Sequence, residues 1–151
     1  MRILVSACLL GLTCRYSGEG KAFPPLTELL NREELSFVPV CPEQLGGLST
    51  PRLPSERVGE RVLTRDGADV TEQYARGAAQ AEELAQLMGC RCALLKACSP
   101  SCGSGVIYDG TFTGRKIPGD GVTAARLKST GIPVFDEEHW AEFLDFIKEE
   151  G

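Results

Sequence analysis

Short apolar runs alternate along the chain with stretches of helical periodicity and with turn signals. The runs Arg2–Ser6, Phe37–Val40, Ala93–Lys96 and Pro133–Phe135 are short and apolar, without the regular polar alternation of a half-wet strand. They predict strands buried on both faces, as in a parallel sheet. Thr71 to Met88 reads as one long helix, with Thr71 as N-cap, Glu72 in the first turn and Gly89 as the stop. Ala78, Ala81, Leu84 and Ala85 give it a small-residue face that can lie close to a sheet. A second helix is expected from about Gly121 to Thr130, with Asp120 as N-cap and Gly131 closing it. A third, Glu137 to Glu149, places Trp140, Phe143, Leu144 and Ile147 at helical spacing and should pack on the outside.

Alternation of this kind predicts an α/β fold: one domain over residues 1–151, with a small Rossmann-like, mostly parallel sheet flanked by helices. The length suits a single core. Two stretches resist regular assignment, Leu9 to Lys21 and Pro42 to about Asp69, the second punctuated by Pro42, Gly46, Gly47, Pro51, Pro54 and Gly59. A third, Ser99 to Gly119, has room for a hairpin around Val106 to Thr113. Long loops in a compact domain are usually functional or mobile.

Composition adds limits. Hydrophobic residues at 42% and charged residues at 25% match an ordinary globular chain. The net charge of −5 gathers at the end, where seven acidic residues from Asp136 to Glu150 face only Lys148. A nucleic acid polymer is therefore not the expected partner, since that affinity rests on Lys and Arg. No apolar run approaches the roughly 20 residues of a membrane span. Val5-Ser6-Ala7-Cys8 looks like a lipoprotein cleavage box, but the few residues before Cys8 fall far short of the roughly 15–30 of a secretory signal. The expected compartment is the cytoplasm, with no membrane association. There, an odd count of seven cysteines is no disulfide framework and points to metal or redox chemistry.

Open α/β sheets bind ligands outside the carboxyl ends of their strands. Cys8 follows the first expected strand, Cys41 the second, and Cys98 or Cys102 the third, so distant residues converge on one edge. Cys90 and Cys92 precede the third strand and read as small buried apolar residues at the opposite edge. Cys14 lies in a loop that could fold back. Converging thiolates suit zinc or an iron–sulfur cluster, or else are buried core residues. The single histidine, His139, sits beside Trp140 on the outer helix, and the chain has no two C-x-x-C pairs, which weakens zinc. Glu43, two residues past Cys41, is a candidate general acid or base against the bland reading of a surface Glu in a Pro-rich loop. Ser99 and Ser101 flank Pro100 just ahead of Cys102. The Cys102-Gly103-Ser104-Gly105 turn could offer backbone N–H groups to an anion or to cluster sulfurs, or be only a turn.

Taken together, Ser6-Ala7-Cys8-Leu9-Leu10-Gly11, Pro39-Val40-Cys41-Pro42-Glu43 with Leu45-Gly46-Gly47, Thr50-Pro51-Arg52, and Ser99-Pro100-Ser101-Cys102-Gly103-Ser104-Gly105 resemble the thiouracil desulfidase family. The likeness continues through Ile107 to Phe112 and Gly119 to Ala124, so it covers nearly the whole chain. The resemblance implies a [4Fe–4S] cluster on Cys8, Cys41 and Cys102 with one open iron. It further implies Glu43 and Ser99 as catalytic residues, and a thiolated pyrimidine base or nucleotide such as 2-thiouracil as substrate, desulfidated without net redox change. A monomer or small homo-oligomer is expected. Two other readings stand beside it: a metal-free redox or persulfide-carrying protein built on Cys98 and Cys102, and a cluster-containing sensor or binding module. Cys98 as a fourth ligand would close the cluster to substrate.

Overall fold

The computed structural model describes residues 1–150. The chain opens with β1 (Arg2–Ser6) and a 3-10 turn (Ala7–Leu10), then α1 (Pro24–Leu29), β2 (Ser36–Val40) and the short α2 (Pro42–Leu45). Next come β3 (Ser55–Val58) and β4 (Arg61–Thr64), the long α3 (Thr71–Leu87) and β5 (Cys90–Leu95). It finishes with β6 (Val106–Tyr108), β7 (Lys116–Pro118), α4 (Val122–Ser129), β8 (Val134–Asp136), a 3-10 turn (Glu137–His139) and α5 (Trp140–Glu150). Four strands form one sheet in the order β2-β1-β5-β8, and every pairing is parallel. From β1 the chain moves to one side of the sheet for β2 and returns to the other side for β5. The order reverses at β1, so the crevice beyond its carboxyl end is the expected ligand position of such a sheet.

The apolar runs are explained by what covers each face. Ile3, Val5, Cys92 and Leu94 point to a core shared with Leu26 and Leu29 of α1 and with Phe143 and Ile147 of α5. Leu4, Ala93 and Leu95 point the other way, to Ala81 and Ala85 of α3 and Ala124 and Leu127 of α4. Period-two alternation therefore survives, but both of its faces are dry, so both must be apolar. The small face of α3 also admits α2. At Gly77 an added Cβ would lie 1.8 Å from the Pro42 carbonyl oxygen, and at Gly46 one would lie 1.9 Å from that of Gln73. Two glycines thus let the helix carrying Glu43 touch α3 backbone to backbone.

Several expected details differ. Thr71 is the first helical residue and not the cap. Asp69 Oδ1 accepts from Thr71 N at 2.9 Å, while the Thr71 hydroxyl accepts from Val62 N at 2.9 Å and ties α3 to the hairpin. Gly121, not Asp120, occupies the cap position of α4. The β5 strand begins at Cys90, so Cys90 and Cys92 lie within its first half. The stretch from Pro42 to Asp69 holds α2 and the β3–β4 hairpin, a small satellite whose Val62 packs on Val70 and Tyr74. Its strands, Ser-Glu-Arg-Val and Arg-Val-Leu-Thr, form a two-stranded sheet separate from the main one. The hairpin after β5 reaches Pro118, well past Thr113. His139 belongs to the turn before α5, where its Nδ1 lies 2.7 Å from Asp136 Oδ1.

Candidate active site

Cys8 stands on the turn that leaves β1, Cys41 directly follows β2, and Cys102 lies in the loop beyond β5. All three line one cavity of about 350 Å³ at the carboxyl edge of the sheet, together with Cys14 and Cys98. Pro42 at the first position of α2 needs no N–H partner, so the chain turns into helix immediately after Cys41. Cys14 reaches the cavity because its loop is bound back on the 3-10 turn after β1: Lys21 N donates to Cys8 O at 2.9 Å and Phe23 N to Leu9 O at 2.9 Å. The Cys14 carbonyl then accepts from Cys41 Sγ at 3.6 Å. Cys98 carries a φ of 65°, a left-handed conformation uncommon outside glycine. Cys90 and Cys92 stay in the core, as expected.

The loop from Ser99 to Gly105 is held by backbone. Gly103 N donates to Ser99 O at 2.8 Å, and Gly121 N to Gly103 O at 2.7 Å. The first amides of α4, which have no partner inside the helix, donate to this loop: Val122 N to Pro100 O at 2.9 Å and Thr123 N to Ser101 O at 2.8 Å. Gly121 is required there, since a Cβ would sit 2.6 Å from the Ser101 carbonyl oxygen. Gly105 N is taken by Asp120 Oδ1 at 2.8 Å. The amides of Gly103 and Gly105 are thus spent inside the protein, and the turn does not present them to an anion.

Against this fixed wall lies a polar chain. Arg52 Nε donates to Glu43 Oε1 at 3.0 Å, and the Ser101 hydroxyl to Glu43 Oε2 at 2.9 Å. Ser101 Oγ lies 3.0 Å from Ser99 Oγ, which accepts from the amides of Ser101 and Cys102 at 3.2 and 3.1 Å. Arg52 also donates to Cys14 O at 3.0 Å and to Thr50 Oγ1 at 2.9 Å. The side chains of Arg52 and Glu43 are only 8% and 14% exposed, so this ion pair is largely shielded from water. Glu43 is no surface residue. Tyr74 closes the floor beneath it; burial first, then the Glu43 charge, pushes its phenol well above the ordinary range. Residue-type reasoning points to Glu43 and to the serines Ser99 and Ser101 together, and only the family resemblance gives Ser99 a role. Neither singles out Arg52 or Tyr74, although Arg52 sits inside the quoted motif blocks.

Cys14, Cys41, Cys98 and Cys102 share one tendency. Burial pushes Cys102 up to about 12. Cys41 is raised further, chiefly by its side-chain hydrogen bond with Cys14 and then by burial. At Cys14 the bond from Cys41 lowers the value, but the bond to Cys8 and burial outweigh it. Cys98 is raised by burial. A metal-free redox pair needs an accessible thiolate of lowered pKa. Cys98 and Cys102 are buried and shifted in the opposite direction, which disfavours that reading. A bound cation reverses the tendency, because it deprotonates the thiols that ligate it. Among the described residues, no three Cys, His, Asp or Glu side chains close on one point to hold a single metal ion. Soft donors from three separate strand ends, spread around a cavity, fit a cluster whose irons each take one thiolate.

The comparisons with known proteins agree with this chemistry. A solved structure of a [4Fe-4S]-dependent thiouracil desulfidase, TudS, is 46% identical, covers 97% of each chain and superimposes with a TM-score of 0.91. The uncharacterized protein YbbK of Bacillus subtilis (strain 168) is 45% identical over 152 residues, covering 94% of this chain and 99% of its own. The family model for 2-thiouracil desulfurase matches residues 3–139, a span that holds every strand but for Arg2 of β1, the thiol-lined cavity and the Glu43 network. With cysteines, carboxylate and fold all inside that match, the chain belongs to the 2-thiouracil desulfurase family.

Proposed function

We propose that this protein is a [4Fe–4S]-dependent thiouracil desulfidase that hydrolyses a carbon–sulfur bond of a thiolated pyrimidine. The observation that carries the reading is the convergence of Cys8, Cys41 and Cys102 on the same cavity as the shielded Glu43 carboxylate. Those three cysteines would hold the cluster. When bound, it would supply Lewis-acid activation of the exocyclic sulfur. Glu43 takes a proton from the water that adds to the ring carbon and returns it as the sulfur departs. The balance is thiouracil plus water giving uracil plus hydrogen sulfide, with no electron donor and no nicotinamide. Ser99 helps hold the substrate or the water. Tyr16, Tyr108 and Phe112 line the remaining wall and offer flat faces to a pyrimidine ring. Arg15 and Arg65 lie against two of these rings and belong to the same wall, so thiolated nucleotides join free bases in the substrate class.

All seven cysteines are free thiols, as suits a reducing compartment, and this reading places one domain of 1–151 in the cytoplasm. No helix among the described residues is long and apolar enough to cross a membrane.

The test is anaerobic reconstitution followed by iron, acid-labile sulfide and sulfide-release assays on 2-thiouracil, its 4-thio isomer and their nucleotides. Wild type is expected to hold a cluster and release sulfide. Glu43→Gln is expected to keep its iron and lose about 10²–10⁴-fold in turnover, the usual weight of a positioned acid–base group. Wild type that holds iron and releases no sulfide would favour the sensor or binding-module reading.

A further inference from the structure

Glu43 is gripped from two sides. Arg52 occupies Oε1, and the second oxygen belongs to Ser101, a residue 2% exposed whose hydroxyl touches three other side chains. Its single hydrogen has three possible acceptors, Glu43 Oε2 at 2.9 Å, Ser99 Oγ at 3.0 Å and Cys102 Sγ at 3.6 Å. The carboxylate is nearest and charged, and it wins, because hydrogen bonds to an ionised acceptor are about twice as strong as neutral ones. With that hydrogen spent, Ser101 Oγ can only accept in its 3.0 Å contact with Ser99, so Ser99 must be the donor. Ser99 in turn accepts from two amides. Every hydroxyl direction from Ser99 to Glu43 is therefore determined by the one side chain between them.

The backbone beneath Ser101 is independently secured. Its carbonyl accepts from Thr123 N and Ala124 N of α4 at 2.8 and 3.1 Å, and Gly121 packs directly on it. Deleting the hydroxyl leaves those bonds in place.

We propose that Ser101 is a positioning residue of the desulfidation site: it holds the Glu43 carboxylate from the side opposite Arg52 and orients the Ser99 hydroxyl. It acts through Glu43 and Ser99. The inference rests on the desulfidase reading for its catalytic consequence, while the Ser101–Glu43 bond is present in the protein without cluster.

The experiment is a double-mutant cycle of Ser101→Ala and Glu43→Gln, read in two ways. In reconstituted protein, Ser101→Ala is expected to retain wild-type iron and sulfide. Its kcat on a thiolated pyrimidine should fall about 10–100-fold, below the range of a full acid–base group, with KM nearly unchanged. The same substitution in a Glu43→Gln background should add little, because the two residues act as one unit. In cluster-free protein, Ser101→Ala should lower the urea midpoint of wild type more than that of Glu43→Gln. Additive effects in both readouts would overturn the proposal. So would loss of iron in Ser101→Ala, which would make its hydroxyl a support for Cys102. If wild type holds iron but releases no sulfide, the desulfidase reading fails, and the urea cycle still decides whether Ser101 and Glu43 are coupled.

Discussion

β5 enters the sheet with two cysteines and leaves it toward two others. Cys92, at its start, is 0% exposed and Cys102, beyond its end, is 4% exposed; burial pushes each up to about 12. By solvent access and acidity the two are equivalent. Their neighbours separate them. What acts on Cys92 besides burial is the charge of Cys90 and Arg91, and its packing partners are apolar. Cys102 has the hydroxyls of Ser6 and Ser101 beside its sulfur, and both act to lower its pKa against the burial. Polar groups beside a sulfur favour its thiolate form, so the carboxyl edge offers its thiol a polar setting and the amino edge only apolar packing.

The strongest way to break this comparison is to delete each sulfur in turn. Cys102→Ala is expected to lose nearly all cluster iron after anaerobic reconstitution, as are Cys8→Ala and Cys41→Ala. Cys92→Ala should bind iron normally and lose only about 1–2 kcal/mol of stability through the small cavity it leaves. Cys98→Ala belongs with Cys92→Ala in iron content; a loss there would make Cys98 a fourth ligand and close the cluster to substrate.

A second test concerns the polar wall that the amino edge lacks. Arg52→Met removes the partner of a largely buried carboxylate and should cost about 3–5 kcal/mol in urea unfolding. Adding Glu43→Gln to that variant should recover part of the loss, since no uncompensated charge then remains. Recovery would show that the cost is electrostatic, whereas equal loss in the double variant would assign it to the contacts of Arg52 with Cys14 and Thr50.

The smallest effect comes from the pair of His139 and Asp136 at the end of β8. Its hydrogen bond to Asp136, then the Asp136 charge, raises His139 above the ordinary imidazole value. A group with its folded pKa raised contributes stability that is full below its unfolded value, about 6.5, and is lost as pH rises through the folded value. His139 is half exposed, so solvent screens the pair and the increment is small. Thermal melts of wild type and His139→Gln should differ most below about pH 6 and converge toward about pH 8. Cluster content should be the same in both, which would mark this pair as independent of the site.

Much of this was legible in the residues. Unbroken apolar runs such as Ile3-Leu4-Val5 and Ala93-Leu94-Leu95 dictated strands dry on both faces, because no polar side chain was available to meet water on either side. Gly89, with its φ of 66°, ended α3 where expected, since a left-handed residue stops a helix at little steric cost only when it lacks a Cβ. The β3–β4 hairpin stayed hidden because its strands satisfy each other and carry no apolar run. The caps were misassigned for a related reason: Asp69 and the carbonyls of Pro100 and Ser101 do the capping from outside the helices.

By itself the sequence determined which elements form and which cysteines follow strands, because hydrophobic period and turn chemistry are local properties of the chain. It also carried the motif blocks that identify the family. Only the tertiary structure decided that Cys14 folds back to Cys41, that Arg52 and Ser101 divide the two oxygens of Glu43, and that the glycine-turn amides are already occupied. Each of these joins residues that adjacency along the chain cannot pair. Arg52 and Glu43 meet because two glycines let α2 lie directly on α3, and Ser101 meets Glu43 because the amides of α4 hold its loop against the sheet edge. Hydrogen bonds depend on distance and direction in space, and those arise only when the whole fold has closed.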